Sequence, residues 1–393
     1  MNAFRNLWHL DPDVVFLNHG SFGACPKAVL QTQQTWRDRL EQQPLKFLGR
    51  EIESLLDTAR SHLATFVQAD AEDLVFVPNA TTGVNAVLRS LNFQPGDELL
   101  TTNQEYNACR NTLNHVAERS GAQVIVAEIP FPLQDTQQVI DAITSRISDR
   151  TRLALLDHVV SQTALILPIE ELIQILSDRG IDTLIDGAHA PGMIALNLQA
   201  LGATYYTGNC HKWLCAPKGS AFLYIQRDRH AHIHPTTISH GRNDPRTSRS
   251  RLHLEFDWMG TSDPTAYLSV PKAIDFMGSL LPGGWTELQQ RNHQLVVAAR
   301  SQLCDLLNVS PPCPDEMLGS MATLPLPDGE ALALYNELWQ NHSLEVPIIP
   351  FPADPQRHVR ISAQIYNHLG EYEHLGHSLL QVLTGSAPCA PSA

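Results

Sequence analysis

"TRLALLDHVVSQTALILPIEELIQILSDRGIDTLIDGAHA", residues 151–190, is the stretch on which the fold turns. "TRLALLDHV" (151–159) reads as a strand, "IEELIQILSDRG" (169–180) as a helix ending on Gly180, and "IDTLIDGAHA" (181–190) as a strand with its end loop. Near-continuous apolar strands separated by a helix imply a parallel sheet covered on both faces, because a half-solvated strand would alternate apolar with polar residues.

The same alternation extends outward. "DLVFVP" (73–78), "DELLTT" (97–102) and "QVIVAEI" (123–129) read as strands, each followed by a helical pattern, and "ATYYTG" (203–208) and "SAFLYI" (220–225) are strand-like. The spacing therefore predicts an α/β fold with a large domain over 18–270. "PTAYLSVPKAIDFMGSL" (264–280) is a helical pattern with an internal Pro271 that begins the connection to a second domain. "GWTELQQRNHQLVVAARSQLCDLL" (284–307) is an amphipathic helix. The remainder predicts a smaller α/β domain at about 271–385, with residues 1–17 packed on it and a frayed, Pro-rich tail at 386–393.

Ligands of such sheets bind at the carboxyl ends of the strands, and the informative residues fall there. "LIDGAHAPG" (184–192) puts Asp186 just beyond an apolar strand, with His189 three residues on. "LVFVPNATTGVN" (74–85) ends a strand in a small, hydroxyl-rich turn that opens a helix. Free N–H groups and the helix dipole make such a turn a phosphate site, to which Thr81 and Thr82 add hydroxyls. Lys212 stands in "TGNCHKWLCAPKGSAFLYI" (207–225), an apolar setting where an ammonium is costly unless paired or used. A lysine forms a Schiff base with an aldehyde, a carboxylate keeps a pyridine nitrogen protonated, and the turn holds a phosphate. Together they describe pyridoxal 5'-phosphate (PLP).

Composition narrows the partners. The chain has 393 residues, 43% of them apolar, and a formal net charge of -14. That acidity argues against nucleic acid and anionic membrane as partners. No run of about 18 apolar residues is present to span a membrane, and the N-terminus lacks a signal-peptide pattern. The 7 cysteines form no CxxC pair and no zinc-ligand spacing, so no metal is expected. Reduced thiols point to a cytoplasmic protein. The arginines at 242, 246, 249 and 251 form either a solvated loop or an entrance that attracts carboxylate substrates.

"DGAHAPG" followed by "HK" resembles the class V aminotransferase-fold PLP enzymes, which include cysteine desulfurases, kynureninases and C–S lyases. "FLNHGSFGACP" (16–26), "NATTGVN", "DHVVSQTALILPI" (157–169) and "VRISAQIYN" (359–367) resemble the isopenicillin N epimerase-like branch. The resemblance spans about residues 14–383. It implies PLP fold type I, with a mostly parallel seven-stranded sheet between helices and a smaller C-terminal α/β domain. It implies that Lys212 carries the cofactor and shuttles the Cα proton, that Asp186 pairs with the pyridine nitrogen, and that His189 bonds the ring's phenolic oxygen. Tyr106 falls at the position that stacks on the ring. Ala80, Thr81 and Thr82 meet the phosphate, helped by Asn209 and His211. Gly260 and Thr261 match a segment lent to a second subunit's phosphate, which implies a homodimer with shared active sites. Arg360 matches the clamp for the substrate carboxylate, and Asn18 and Gln162 match further substrate or cofactor contacts.

The approach to Arg360, "SLEVPIIPFPADPQRHV", contains no cysteine, which disfavours a persulfide-forming desulfurase. The reaction expected is abstraction of the Cα proton of an amino acid or cysteine conjugate. The outcome is then C–S cleavage by β-elimination or epimerisation. The alternatives are an aminotransferase and a catalytically inactive PLP-fold binding protein.

Overall fold

The computed structural model describes residues 3–385; the tail expected to fray, 386–393, lies outside the described residues, as does Cys389. Seven strands build the central sheet: β1 (Leu74–Val77), β2 (Glu98–Thr102), β3 (Gln123–Ala127), β4 (Thr151–Asp157), β5 (Asp182–Asp186), β6 (Tyr205–Asn209) and β7 (Ala221–Ile225). Their order is β1-β7-β6-β5-β4-β2-β3. All neighbours are parallel except those of β7, which runs antiparallel to both β1 and β6. The reversal follows from chain length. Only residues 210–220 join β6 to β7, fewer than the dozen or so that a parallel crossover needs. Six strands therefore end along one edge of the sheet.

Both faces are covered, as the apolar runs require. Leu153 and Leu155 of β4 enter one apolar cluster, while Ala154 and Leu156 enter the other. Consecutive strand residues point to opposite faces, so a strand buried twice has no polar alternation to show. Helices Ala80–Ser90, Asn107–Ser120, Gln137–Thr144 and Ile169–Ser177 follow β1, β2, β3 and β4. The first of these begins at Asn79, whose Oδ1 accepts from the Thr82 N–H at 2.8 Å, a cap worth about 1 kcal/mol. It packs tightly on β6, for a Cβ on Gly83 would lie 2.4 Å from the Thr207 Oγ1.

The pattern over 264–280 is two helices, Thr265–Leu268 and Val270–Gly278, rather than one. Pro271 lies in the first turn of the second helix, where its missing N–H costs nothing; inside a longer helix it would break the ladder. Helix Gly284–Leu307 matches the amphipathic segment expected there. A second sheet, antiparallel, has the order β9-β10-β8, with β8 (Met321–Leu326), β9 (Ile348–Pro350) and β10 (Arg357–Ser362). The N-terminal segment joins this side: Val15–Phe16 pairs with Leu344–Glu345, and Trp8 meets Tyr366 edge-on. The main apolar core runs unbroken from Leu156 and Ile185 of the central sheet to Leu324, Ile361 and Leu375.

The four arginines of the 242–251 loop are tied to the chain's own groups. Arg242 pairs with Glu255, Arg246 with Glu53 and Asp244, and Arg249 with Asp57 and Asp257, while Arg251 donates to the Gly241 and Asp244 carbonyls. They are thus part of the scaffold rather than free charges at an entrance.

Candidate active site

The site residues lie along the shared strand edge, in sheet order. The 80–82 turn follows β1, Asn209 through Lys212 follow β6, Asp186 closes β5, Asp157 closes β4, and Glu105 and Tyr106 come just after β2. A cavity of about 330 Å³ opens there. Ala80, Thr81, Tyr106 and Asp186 line it, as do His189, Asn209, His211 and Lys212.

Lys212 is buried, and its amine is pushed down to about 8, chiefly by burial and then by the Arg360 charge. Its Nζ lies 3.0 Å from His189 Nε2. The Trp213 indole N–H donates to His189 Nδ1 at 3.4 Å. The loop that carries Lys212 is held close to the N-terminal turn, since a Cβ on Gly23 (φ +68°) would lie 2.2 Å from the His211 carbonyl oxygen.

Asp186 accepts from the Ala188 N–H at 2.9 Å and from the Cys109 S–H at 3.1 Å. Burial and the charges of Asp157 and Asp186 hold the Glu105 carboxyl well above the usual carboxylate range. Glu105, Cys109 and Asp186 offer atoms within 4.8 Å of one another. The strand-end carboxylate is thus set among groups that stay neutral.

At the 80–82 turn, the Ala80 N–H donates to Asn209 Oδ1 at 2.9 Å. The Thr82 N–H and hydroxyl both go to Asn79 Oδ1, so Thr82 acts within the helix cap and stands off the cavity wall. His211 Nδ1 donates to the Ser220 carbonyl at 3.0 Å, and burial pushes the ring down to about 4. A neutral His211 with its proton there presents a bare Nε2.

Arg360 does not line the cavity but lies directly behind its wall, 3% exposed. It donates to the Ser161 carbonyl at 2.5 Å and to the Ser21 hydroxyl at 2.9 Å, and it reaches Asn18 Oδ1 at 3.5 Å. Asn18 also donates to Glu345 Oε1 at 2.9 Å. Gln162 is not part of the cavity lining, and its Oε1 is buried without a hydrogen-bond partner among the described residues. Gly260 and exposed Thr261 stand away from this cavity. Ser21, Ser161, Phe22 and Asp157 line it without having been singled out from sequence. Only Asp157 left a readable signal, a charge that closes "LALLD" as Asp186 closes "DTLID".

The residues present fit PLP. The volume suits a small cofactor. Helix N–H groups lie at one end, an amine with a depressed pKa stands between, and a hydrogen-bonded buried carboxylate lies at the other end. Fold and site together define a fold type I PLP enzyme. The chain belongs to the aminotransferase class-V family, whose model matches residues 15–343, and PLP is the cofactor of that family.

The chain is 35% identical to an isopenicillin N epimerase of Amycolatopsis lactamdurans, covering 95% of this chain and 96% of that one. It is 32% identical to a probable chloroplastic L-cysteine desulfhydrase of Arabidopsis thaliana, covering 93% and 82%. Among solved structures it superposes on a C-DES variant with glycine covalently linked to its PLP cofactor, with a TM-score of 0.82 and 21% identity over 95% and 98% of the two chains.

Proposed function

We propose that this enzyme removes the Cα proton of a cysteine-derived amino acid with Lys212 and expels the sulfur substituent from Cβ. The observation that carries this is one cavity bearing a single amine of depressed pKa, a buried carboxylate and, behind its wall, a buried guanidinium. PLP, when bound, supplies the sink for the electron pair released at Cα. Lys212, its amine lowered to about 8, gives up its own proton far more readily than an ordinary lysine and so can take the one at Cα. Asp186 keeps the ring nitrogen protonated. His189 offers its Nε2 proton to the phenolic oxygen. Arg360, with Asn18, Ser21 and Ser161 around it, anchors the substrate carboxylate, a task suited to a planar fork of donors. Tyr106 covers the mouth, and Ala80, Thr81, Asn209 and His211 hold the phosphate.

Elimination needs one base, and Lys212 is that base. Epimerisation is the second reading, favoured by the relatives named as epimerases. It needs a second proton carrier, for which Tyr106, at the mouth, is the candidate. Incubation with cysteine, cystine and S-conjugates in deuterated water separates the two. Pyruvate with the sulfur product supports elimination; Cα exchange and inversion without pyruvate support epimerisation. Visible absorbance with PLP but neither product supports an inactive PLP-binding protein.

The enzyme works as a homodimer in which Gly260 and Thr261 serve the other subunit's phosphate. In support, Thr261 is exposed and remote from its own cavity. Light scattering at twice 43.6 kDa supports this, and a monomer with full activity overturns it. The six described cysteines, all free and buried, suit a cytoplasmic setting. No described helix is long and apolar enough to cross a membrane.

A further inference from the structure

One pyridine nitrogen needs one carboxylate, yet two stand side by side here. The register of β4 on β5 sets Asp157 opposite Asp186, and each closes its strand. Residues paired across neighbouring strands project from the same face about 4.8 Å apart, and both side chains line the cavity. Their surroundings differ. Asp186 has the Ala188 N–H and the Cys109 S–H as donors. Asp157 is 3% exposed, and its Oδ2 is buried without a hydrogen-bond partner. The groups that face Asp157 are Asp186 from β5, Glu105 and the Tyr106 N–H from the segment after β2, and Lys212 from the loop after β6. Glu105 is also buried; its Oε2 accepts from Thr101 at 3.3 Å and its Oε1 has no partner.

We propose that Asp157 is a positioning residue of the cofactor site, a neutral carboxyl that donates a hydrogen bond into the cavity beside the charged Asp186. This rests on the reading of the cavity as a PLP site. Three carboxyls so close together, away from water, cannot all be charged. The donors around Asp186 suit a carboxylate there, whereas the partnerless Asp157 Oδ2 suits a proton. Burial, reinforced by the Asp186 charge, pushes the Asp157 carboxyl well above the usual range. The Lys212 charge opposes that push without reversing it. A buried hydroxyl with no acceptor among the described residues has the bound group as its remaining partner. Asp157 lies on the β4 side of Asp186, so it serves the end of the cavity away from the 80–82 turn.

The test titrates the unaltered chain, Asp157→Asn and Asp157→Leu with PLP, following visible absorbance and its pH dependence. Asparagine keeps a donor and cannot ionise, so its PLP affinity is expected within about threefold of the unaltered chain, with the same pH profile. Leucine has no donor, and binding is expected to weaken about tenfold, the loss of one buried hydrogen bond. The cofactor-free leucine variant is expected to melt close to the unaltered chain, since removing the unsatisfied Oδ2 offsets the loss of the acceptor for the Tyr106 N–H. Asparagine as weak as leucine would mean that Asp157 acts through charge, and leucine as tight as the unaltered chain would mean that it makes no contact. A leucine variant that loses binding only because it melts far lower also overturns the proposal. Failure of the underlying site reading looks different: the unaltered chain itself then gives no visible absorbance with PLP.

Discussion

Lys212 Nζ and His189 Nε2 stand 3.0 Å apart, and the Trp213 indole on the far side of the ring decides how they share protons. An indole N–H can only donate, so His189 Nδ1 accepts. Burial, helped by the Lys212 charge, holds the imidazole well below its usual pKa, so the neutral ring carries its one proton on Nε2. That N–H faces Lys212, which can accept it once its amine loses its proton above about 8. Burial pushes both groups toward their neutral forms, and a free Lys212 amine is the nucleophile for an aldehyde.

The pH dependence of stability reads this directly. The Lys212 amine falls from its usual 10.5 to about 8 in the folded cofactor-free protein. Between those values the unfolded chain binds a proton that the folded one does not, so stability rises with pH across the window. Below about 8 the full penalty is present; above 10.5 it is gone. Relative to Lys212→Met, the unaltered apoprotein is expected to gain about 3 kcal/mol from pH 7 to 11. Denaturant titrations at several pH values check it, and a constant difference between the two proteins refutes it.

Arg360→Lys is expected to raise KM for the amino acid about tenfold or more, with a smaller change in kcat. The guanidinium spans the Ser161 carbonyl and the Ser21 hydroxyl at once, and an ammonium cannot reproduce that fork. Steady-state kinetics on one substrate suffices; an unchanged KM would remove Arg360 from carboxylate binding.

Gly23→Ala is expected to destabilise the protein by about 2 kcal/mol or more and to weaken PLP binding. At φ +68° its new Cβ would meet His211 and Lys212 backbone atoms, which no side-chain rotation can clear. Thermal melts of the apoprotein and a PLP titration measure the two effects separately. A variant that matches the unaltered chain in both would show that the Lys212 loop adapts freely.

Tyr106→Phe separates proton transfer from packing. If Tyr106 is the second acid, Cα inversion is expected to fall about 100-fold while pyruvate formation changes by less than about threefold. Pyruvate and chiral amino-acid assays on the same samples give both numbers. An equal fall in both rates would assign Tyr106 to holding the ring.

What could be read from the residues was whatever broke a pattern. Lys212 and Asp186 were visible because a charge in an apolar strand or at its end needs a reason. The strands were visible because they were apolar on both faces. Ser21 and Ser161 were not, because serine is common in loops, and only the fold brings Ser21 and Ser161, so far apart in sequence, onto one guanidinium. Asp157 stood in plain view at the end of "LALLD", but its meaning depends on the residue opposite it on the next strand.

Local chemistry and periodicity, which need only neighbouring residues, determined the α/β alternation and picked out the turn, the lysine and the carboxylate that one cavity gathers. Tertiary structure decided the reversed β7, the ion pairing of the 242–251 arginines, the His189 tautomer and the pairing of Asp157 with Asp186. Each of these depends on which distant groups share a few ångströms of dry space, and burial there turns small differences in partners into different protonation states.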